Sequence, residues 1–140
     1  MNPEHVETVI AGKDQIDQWR ETHASVRLEL SGADFRGLNL AEANLGGADL
    51  TKADFREADL SHARLSGASL AGADLRKATL WRTTAIETNF AGADLRGANM
   101  YRCNLKGADL TDADLRGASL LKAIWPDTSL SAQVQYGRSD

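Results

Sequence analysis

The stretch ADFRG at residues 33–37 is repeated, with small changes, at four later places in the chain. The copies are ADFRE at 53–57, ADLRK at 73–77, ADLRG at 93–97 and ADLRG at 113–117. Each copy starts twenty residues after the one before it. Internal repeats of this kind are the first feature that decides a fold.

A shorter period of five residues runs through the same region. We call the apolar residue in the middle of each pentad its centre, and an alanine usually stands two positions before it. The frame runs without insertion from Leu28 to Ala132 and lapses once, at Ala85. The regular centres are Leu30, Phe35, Leu40, Leu45, Leu50, Phe55, Leu60, Leu65, Leu70, Leu75, Leu80, Phe90, Leu95, Met100, Leu105, Leu110, Leu115 and Leu120.

A five-residue period fits neither an α-helix nor a flat strand. Five helical residues turn through about 500°, so successive centres would not share a face. In a strand, residues five apart point to opposite faces. If the chain turns a corner after each pentad, however, every centre and every alanine can point inward. Glycine, which tolerates positive φ, often stands two residues after the centre, as at Gly37 and Gly97.

The twenty-residue period then counts the sides of the coil. Asp precedes and Arg follows every fourth centre, so four pentads make one turn. We therefore predict an all-β solenoid with four sides and about five coils over 28–132, roughly 25 Å tall at β-like spacing.

The pattern A-(D/N)-(L/F)-X-X over residues 28–132 resembles the pentapeptide-repeat family. The resemblance implies a right-handed quadrilateral β-helix. It also implies a function in protein recognition, which in some members is inhibition or protection of DNA gyrase by mimicry of DNA. The sequence departs from the pattern at Leu28, Leu38, Thr83, Ala85 and Thr88.

The two ends should protect the open edges of the coil. We predict an N-terminal helical cap over 1–27, with a helix at about 15–23 that Asp14 N-caps and a shorter helical piece at about 4–11. Trp19 is expected to cover the first coil. A C-terminal tail over 133–140 is expected to close the last coil or to pair with a second subunit.

Composition excludes several classes of function. One cysteine, Cys103, allows neither an internal disulfide framework nor a Cys-rich metal site, and the three histidines are dispersed. The net charge of −4 argues against direct nucleic-acid binding through a basic face. We see no signal peptide in 1–27 and no membrane span, and we expect a cytoplasmic non-enzyme without cofactor or metal.

The first candidate surface is the Asp/Arg ladder, the column of charges on one side of the coil. It either keeps that side soluble and links successive coils, or forms a flat docking surface. Exposed ion pairs contribute little stability individually. Its members are Asp34, Arg36, Asp54, Arg56, Asp74, Arg76, Asp94, Arg96, Asp114 and Arg116.

The second candidate is the aromatic wall, on the next side of the last three coils. Exposed apolar groups beside Arg mark interaction sites, although these side chains could instead pack over neighbouring coils or under the tail. The wall consists of Trp81, Tyr101 and Leu121 with their neighbours Arg82, Arg102 and Lys122.

The third candidate is the lapse WRTTAIETNF at 81–90. Ala85 should leave its column under-filled, unless Ile86 swings inward through a bulge. The hydroxyls of Thr83 and Thr88 need hydrogen-bond partners if they are buried. The lapse is either a site or a packing irregularity.

The leading hypothesis is a scaffold that binds a partner protein of unknown identity, or forms a homodimer through its C-terminal coil or tail. The alternative is a DNA mimic that modulates gyrase or another topoisomerase. Residues 28–132 contain 14 acids and 12 bases, a net charge of −2, and a DNA mimic needs denser uncompensated negative charge.

Overall fold

The computed structural model describes residues 1–126 and the backbone of residues 135–136. Over the repeat region the chain winds so that each residue before a centre pairs in parallel with the residue twenty positions later. These bridges run from Glu29↔Asp49 to Asn104↔Ile124 without a change of register. The register of twenty predicted for stacked residues is therefore present throughout this region.

Each pentad is one side of the winding and ends in a tight turn. The amide of Ala33 donates to the carbonyl of Leu30 at 3.1 Å, and the same bond recurs in later pentads. The residue two after the centre takes positive φ, as at Gly37 (φ 67) and Gly97 (φ 70). Its amide donates to the next coil, from Gly37 to the Arg56 carbonyl at 3.0 Å. The corners predicted from the glycines are thus present.

The centres and alanines fill the interior. Every regular centre from Leu30 to Leu120 is buried, and so are the alanines two residues before most of them. Phe35 and Phe55, on successive coils of one column, have ring centroids 5.2 Å apart. Cys103 takes an alanine position, and burial raises the pKa of its thiol to about 12. It is a small buried hydrophobe rather than a reactive thiol.

Two helices precede the repeats. Helix α1 covers Pro3–Ile10 and is capped by the side chain of Asn2, while α2 covers Lys13–Thr22. The predicted N-cap at Asp14 is wrong: Gly12, at φ 101, precedes α2 without a side-chain cap, and Asp14 lies in the first turn. The chain breaks between the two helices at Gly12, which can adopt positive φ, and α2 therefore begins at Lys13, earlier than the sequence indicated.

The N-terminal segment covers the edge of the first coil. The Glu29 amide donates to His5 Nδ1 at 2.9 Å, and the Asn2 amide donates to the Glu29 carbonyl at 2.9 Å. Trp19 is partly buried against the core and stacks on His23 with centroids 4.4 Å apart. The amide and the carbonyl of Glu29, which a further coil would have paired, are thereby satisfied.

At the other end, strand β1 (Asp114–Leu115) pairs in parallel with β2 (Gln135–Tyr136) of the same chain. The register here is twenty-one, since Asp114 pairs with Gln135. The number of coils and the domain boundary after residue 27 stay predictions. The boundary at 132 and the tail at 133–140 also stay predictions, because residues 127–134 and 137–140 lie outside the described part. Neither α1 nor α2 has the length and apolar character of a membrane-spanning helix, and the described residues contain no other helix.

Candidate functional site

The Asp/Arg ladder is built first within each coil. Arg76 donates from Nη2 to Asp74 Oδ2 at 2.6 Å and from Nε to Asp74 Oδ1 at 2.9 Å. The other four pairs, two residues apart in the chain, have the same fork geometry. Hydrogen bonds of this charge-assisted, bidentate kind are the stronger ones.

The ladder also continues from coil to coil. Arg56 Nε lies 3.6 Å from Asp74 Oδ2, and Arg76 Nε lies 3.6 Å from Asp94 Oδ2. The hydrogen bond from Arg76 lowers the pKa of the Asp74 carboxyl, and the corresponding bond from Arg36 lowers that of Asp34 to about 2. All ten side chains therefore form one column whose charges neutralise each other.

The aspartates have a second role, which the sequence reasoning missed. Asp74 Oδ1 also accepts the backbone amide of Arg76 at 3.2 Å. Asparagines at the same pentad position accept in the same way, as Asn99 does from the Tyr101 amide at 3.1 Å. Such Asx turns help the chain to turn at each corner. The frequent occurrence of both Asp and Asn at this position was the available signal, because both side chains supply the acceptor.

The aromatic wall stands on the next side. Trp81 and Tyr101, on successive coils, stack with centroids 5.9 Å apart and planes at 17°. His62, one coil earlier, meets Trp81 edge-on at 5.6 Å. Trp81 is 38% exposed and Leu121 is 61% exposed. The structure thus brings these predicted residues together as an outward apolar column.

Three exposed cations flank the wall. The guanidinium of Arg82 lies 5.2 Å from the centre of the Trp81 ring, and that of Arg102 lies 5.5 Å from the Tyr101 ring. Arg102 Nε also donates to Tyr101 Oη at 3.2 Å, which lowers the pKa of the phenol. An open groove of about 450 Å³ is lined by Arg82, Arg102, Lys122 and Ile124. Ile124, 53% exposed, is a member of this surface that the sequence reasoning missed.

The corner beside the wall has no glycine. Its five residues all take the left-handed conformation, with φ between 55° and 63°. Each of the other three corner columns contains glycine. Left-handed conformation costs about 1–2 kcal/mol for a residue with a side chain. The column is Glu42, His62, Arg82, Arg102 and Lys122, and its lack of glycine was visible in the sequence.

The lapse at 81–90 contains no bulge, which excludes one of the two alternatives for this column, the inward swing of Ile86. The bridges Arg64↔Thr84 and Thr84↔Asn104 keep the register of twenty, Ala85 is buried and Ile86 is half-buried. The Thr83 hydroxyl donates to the Leu60 carbonyl at 2.7 Å, and that of Thr88 donates to the Leu65 carbonyl at 2.8 Å. Both hydroxyls are therefore satisfied by the preceding coil, and the lapse stays in register with its neighbours.

Metal-binding geometry is absent from the described residues, where no group of three or more His, Cys, Asp or Glu side chains could hold an ion. The candidate surfaces described above are the Asp/Arg ladder and the aromatic wall.

The chain matches the family model for pentapeptide repeats over residues 29–67, 63–100 and 86–121, with eight copies of the model. No curated protein matches it. Among solved structures, it is similar to Rfr23, a pentapeptide repeat protein from the cyanobacterium Cyanothece 51142. That match has 31% identity and a TM-score of 0.64 and covers 66% of this chain and 63% of the other.

A pentapeptide repeat protein from the thylakoid lumen of Arabidopsis thaliana is also similar, at 29% identity with a TM-score of 0.51. This match covers 68% of the present chain and 63% of that one, so the chain spans less than two thirds of both solved relatives. Pentapeptide repeat proteins fold as right-handed quadrilateral β-helices, in agreement with the predicted fold class. The chain belongs to the pentapeptide repeat family.

Proposed function

We propose that this protein is a non-catalytic scaffold that binds a partner protein, or a second copy of itself, through the aromatic wall. The observation that carries the proposal is the exposure of Trp81 and Leu121, at 38% and 61%, on the outward side of the coil. Aromatic side chains and arginine are the usual hot spots of protein interfaces. Here they are contiguous, because the twenty-residue register stacks them.

The Asp/Arg ladder is a weaker candidate for binding. Each of its arginines is already held by an aspartate in its own coil, and a partner would have to replace those bonds. We propose that the ladder holds successive coils together and keeps that side soluble. A partner that approached it would meet almost no net charge, which gives little electrostatic steering.

The test compares two double variants with the wild type. Trp81→Ala/Tyr101→Ala removes the wall, and Arg56→Ala/Arg76→Ala removes two rungs of the ladder as the matched control. Circular dichroism first establishes that both variants are folded. Light scattering then gives their mass, and affinity capture followed by mass spectrometry gives their partners. We expect the wall variant to lose partners, or a dimer, that the ladder variant keeps.

Two results would contradict the proposal. If the wall variant has the same mass and partners as the wild type, the wall is not the interaction surface. If the ladder variant loses the same partners, the loss does not depend on the wall. A cytoplasmic location belongs to the same proposal, and fractionation of the source cells would test it.

The alternative function, a DNA mimic that modulates gyrase, has less support. The most regular row of acids in this chain is that of the Asp/Arg ladder. Its charge is neutralised, because Asp54, Asp74 and Asp94 each lie beside two arginines. A mimic of duplex DNA needs closely spaced, uncompensated negative charge. Inhibition of gyrase supercoiling at micromolar protein would favour this alternative over the proposed scaffold.

A further inference from the structure

We infer that the aromatic wall and its basic corner bind an extended acidic segment of a partner protein. The basic corner consists of Arg82, Arg102 and Lys122, which occupy the same position in three successive coils. This inference rests on the proposed function and specifies the chemistry of the partner. It is carried by the charges, the ring contacts and the spacing of the corner.

The charges of the basic corner are not neutralised by acids in the described part of the chain. None of the ion pairs there includes Arg82, Arg102 or Lys122, whereas every arginine of the Asp/Arg ladder is paired. The guanidinium groups of Arg82 and Arg102 contact aromatic rings instead. Cation–π contacts fix the position of a cation without neutralising its charge. This surface is therefore electropositive on a chain whose net charge is −4.

The ring contacts favour a peptide over a single-stranded nucleic acid. Trp81 is in contact with Tyr101, with the edge of His62 and with the Arg82 guanidinium. Single strands bind with their phosphates along a positively charged groove and with their bases stacked on aromatic side chains. Because Trp81 and Tyr101 already contact each other and the two guanidinium groups, a stacking base would have to displace these contacts, whereas a carboxylate can bind the cations with the ring contacts in place. Carboxylates with a neighbouring apolar side chain match that surface.

The spacing suits an extended segment. Successive coils are about 4.8 Å apart, so the three cations span roughly 10 Å along the axis. Side chains on one face of an extended peptide repeat at about 6.7 Å. Two acids at positions i and i+2 would each lie within reach of a cation. A third side chain on that face, at i+4, would pack on Leu121 and Ile124, which are 61% and 53% exposed; Ile124 also lines the groove.

The test is a nuclear magnetic resonance titration of the whole ¹⁵N-labelled chain with the peptide Ac-Asp-Ser-Asp-Ser-Leu-NH₂. The control peptide replaces both Asp by Asn, and oligo-dT represents a single-stranded nucleic acid. We expect saturable shifts of the Trp81 indole and of the Arg82 and Arg102 amides with the acidic peptide, reduced at 300 mM salt because of screening. Titration to millimolar peptide makes weak binding measurable.

Two variants with the same change of net charge distinguish binding by the basic corner from attraction by the overall charge of the protein. Arg82→Gln/Arg102→Gln should weaken binding about tenfold, as loss of two exposed ion pairs would. Arg56→Gln/Arg76→Gln, on the ladder, should leave it unchanged. Equal binding of the Asn peptide, an equal loss in the ladder variant, or shifts with oligo-dT alone would each overturn the inference.

The outcome also distinguishes this inference from the proposed function. If the acidic peptide does not bind but Trp81→Ala/Tyr101→Ala still loses partners in the capture experiment, the wall is an interface and only the acidic chemistry is wrong. If the capture experiment also shows no difference, both are wrong.

Discussion

Replacement of Leu95 by Ala tests the assignment of the centres to the interior. Leu95 is fully buried, between Leu75 and Leu115 in its column. The change removes the equivalent of three methylene groups, which at about 0.8 kcal/mol each gives roughly 2.4 kcal/mol. The cavity adds to this loss, so we expect unfolding to become easier by about 2–5 kcal/mol. Since each coil contacts only its neighbours, little rearrangement elsewhere can compensate.

The assay is a urea titration followed by circular dichroism, with Leu121→Ala as the matched control. Leu121 loses the same atoms but is 61% exposed, so its change should stay within about 0.5 kcal/mol. The slope of the transition should be unchanged, which allows the midpoints to be compared directly. A loss below about 0.5 kcal/mol for Leu95→Ala, or equal losses in both variants, would refute the inward assignment.

Three further changes test the corners, the lapse and the ladder. Thr83→Val should cost about 1 kcal/mol in a urea titration, because it removes the bond to the Leu60 carbonyl, whereas Thr84→Val, whose hydroxyl has no described partner, should change little. Gly92→Ala should cost about 1 kcal/mol, since its Cβ meets no atom within 4 Å and the strain of φ 68 alone remains; an unchanged midpoint would contradict this. The ladder carboxyls have lowered pKa values, so their contribution is present above about pH 4 and is lost as the pH falls toward 2. Thermal unfolding between pH 2 and 5 should show a shallower loss for Arg76→Gln than for the wild type, and parallel curves would refute the role of the pair.

Much of the fold could be predicted because the periods of five and twenty residues correspond to one side and one full turn of the coil. Residues that share a face share neighbours, and the spacing of Asp74 from Asp54 and Asp94 therefore gave the register directly. Inward positions were recognisable because a narrow interior admits only alanine beside each centre. Gly37 and Gly97 indicated the corners for a reason of backbone sterics.

What could not be predicted depends on details that a residue type does not specify. A corner does not require glycine, and the positive φ of Arg82 and Arg102 was therefore missed. The sequence indicated that the hydroxyls of Thr83 and Thr88 need partners, but it could not identify them, because the acceptors are carbonyls of the preceding coil. The sequence placed Trp81 and Tyr101 in one column, but the ring stacking and the guanidinium contacts depend on side-chain rotamers.

The register of twenty has a consequence for how such a chain can change in length. An insertion of five residues would keep every later centre and alanine inward, yet it would move every later surface residue to the next side of the coil. An insertion of twenty would leave both arrangements intact and lengthen the tower by about 4.8 Å. Insertion of one pentad thus preserves the interior, whereas the Asp/Arg ladder and the aromatic wall are preserved only by insertion of whole turns of twenty residues. Natural length variants that preserve these surfaces should differ by multiples of twenty residues.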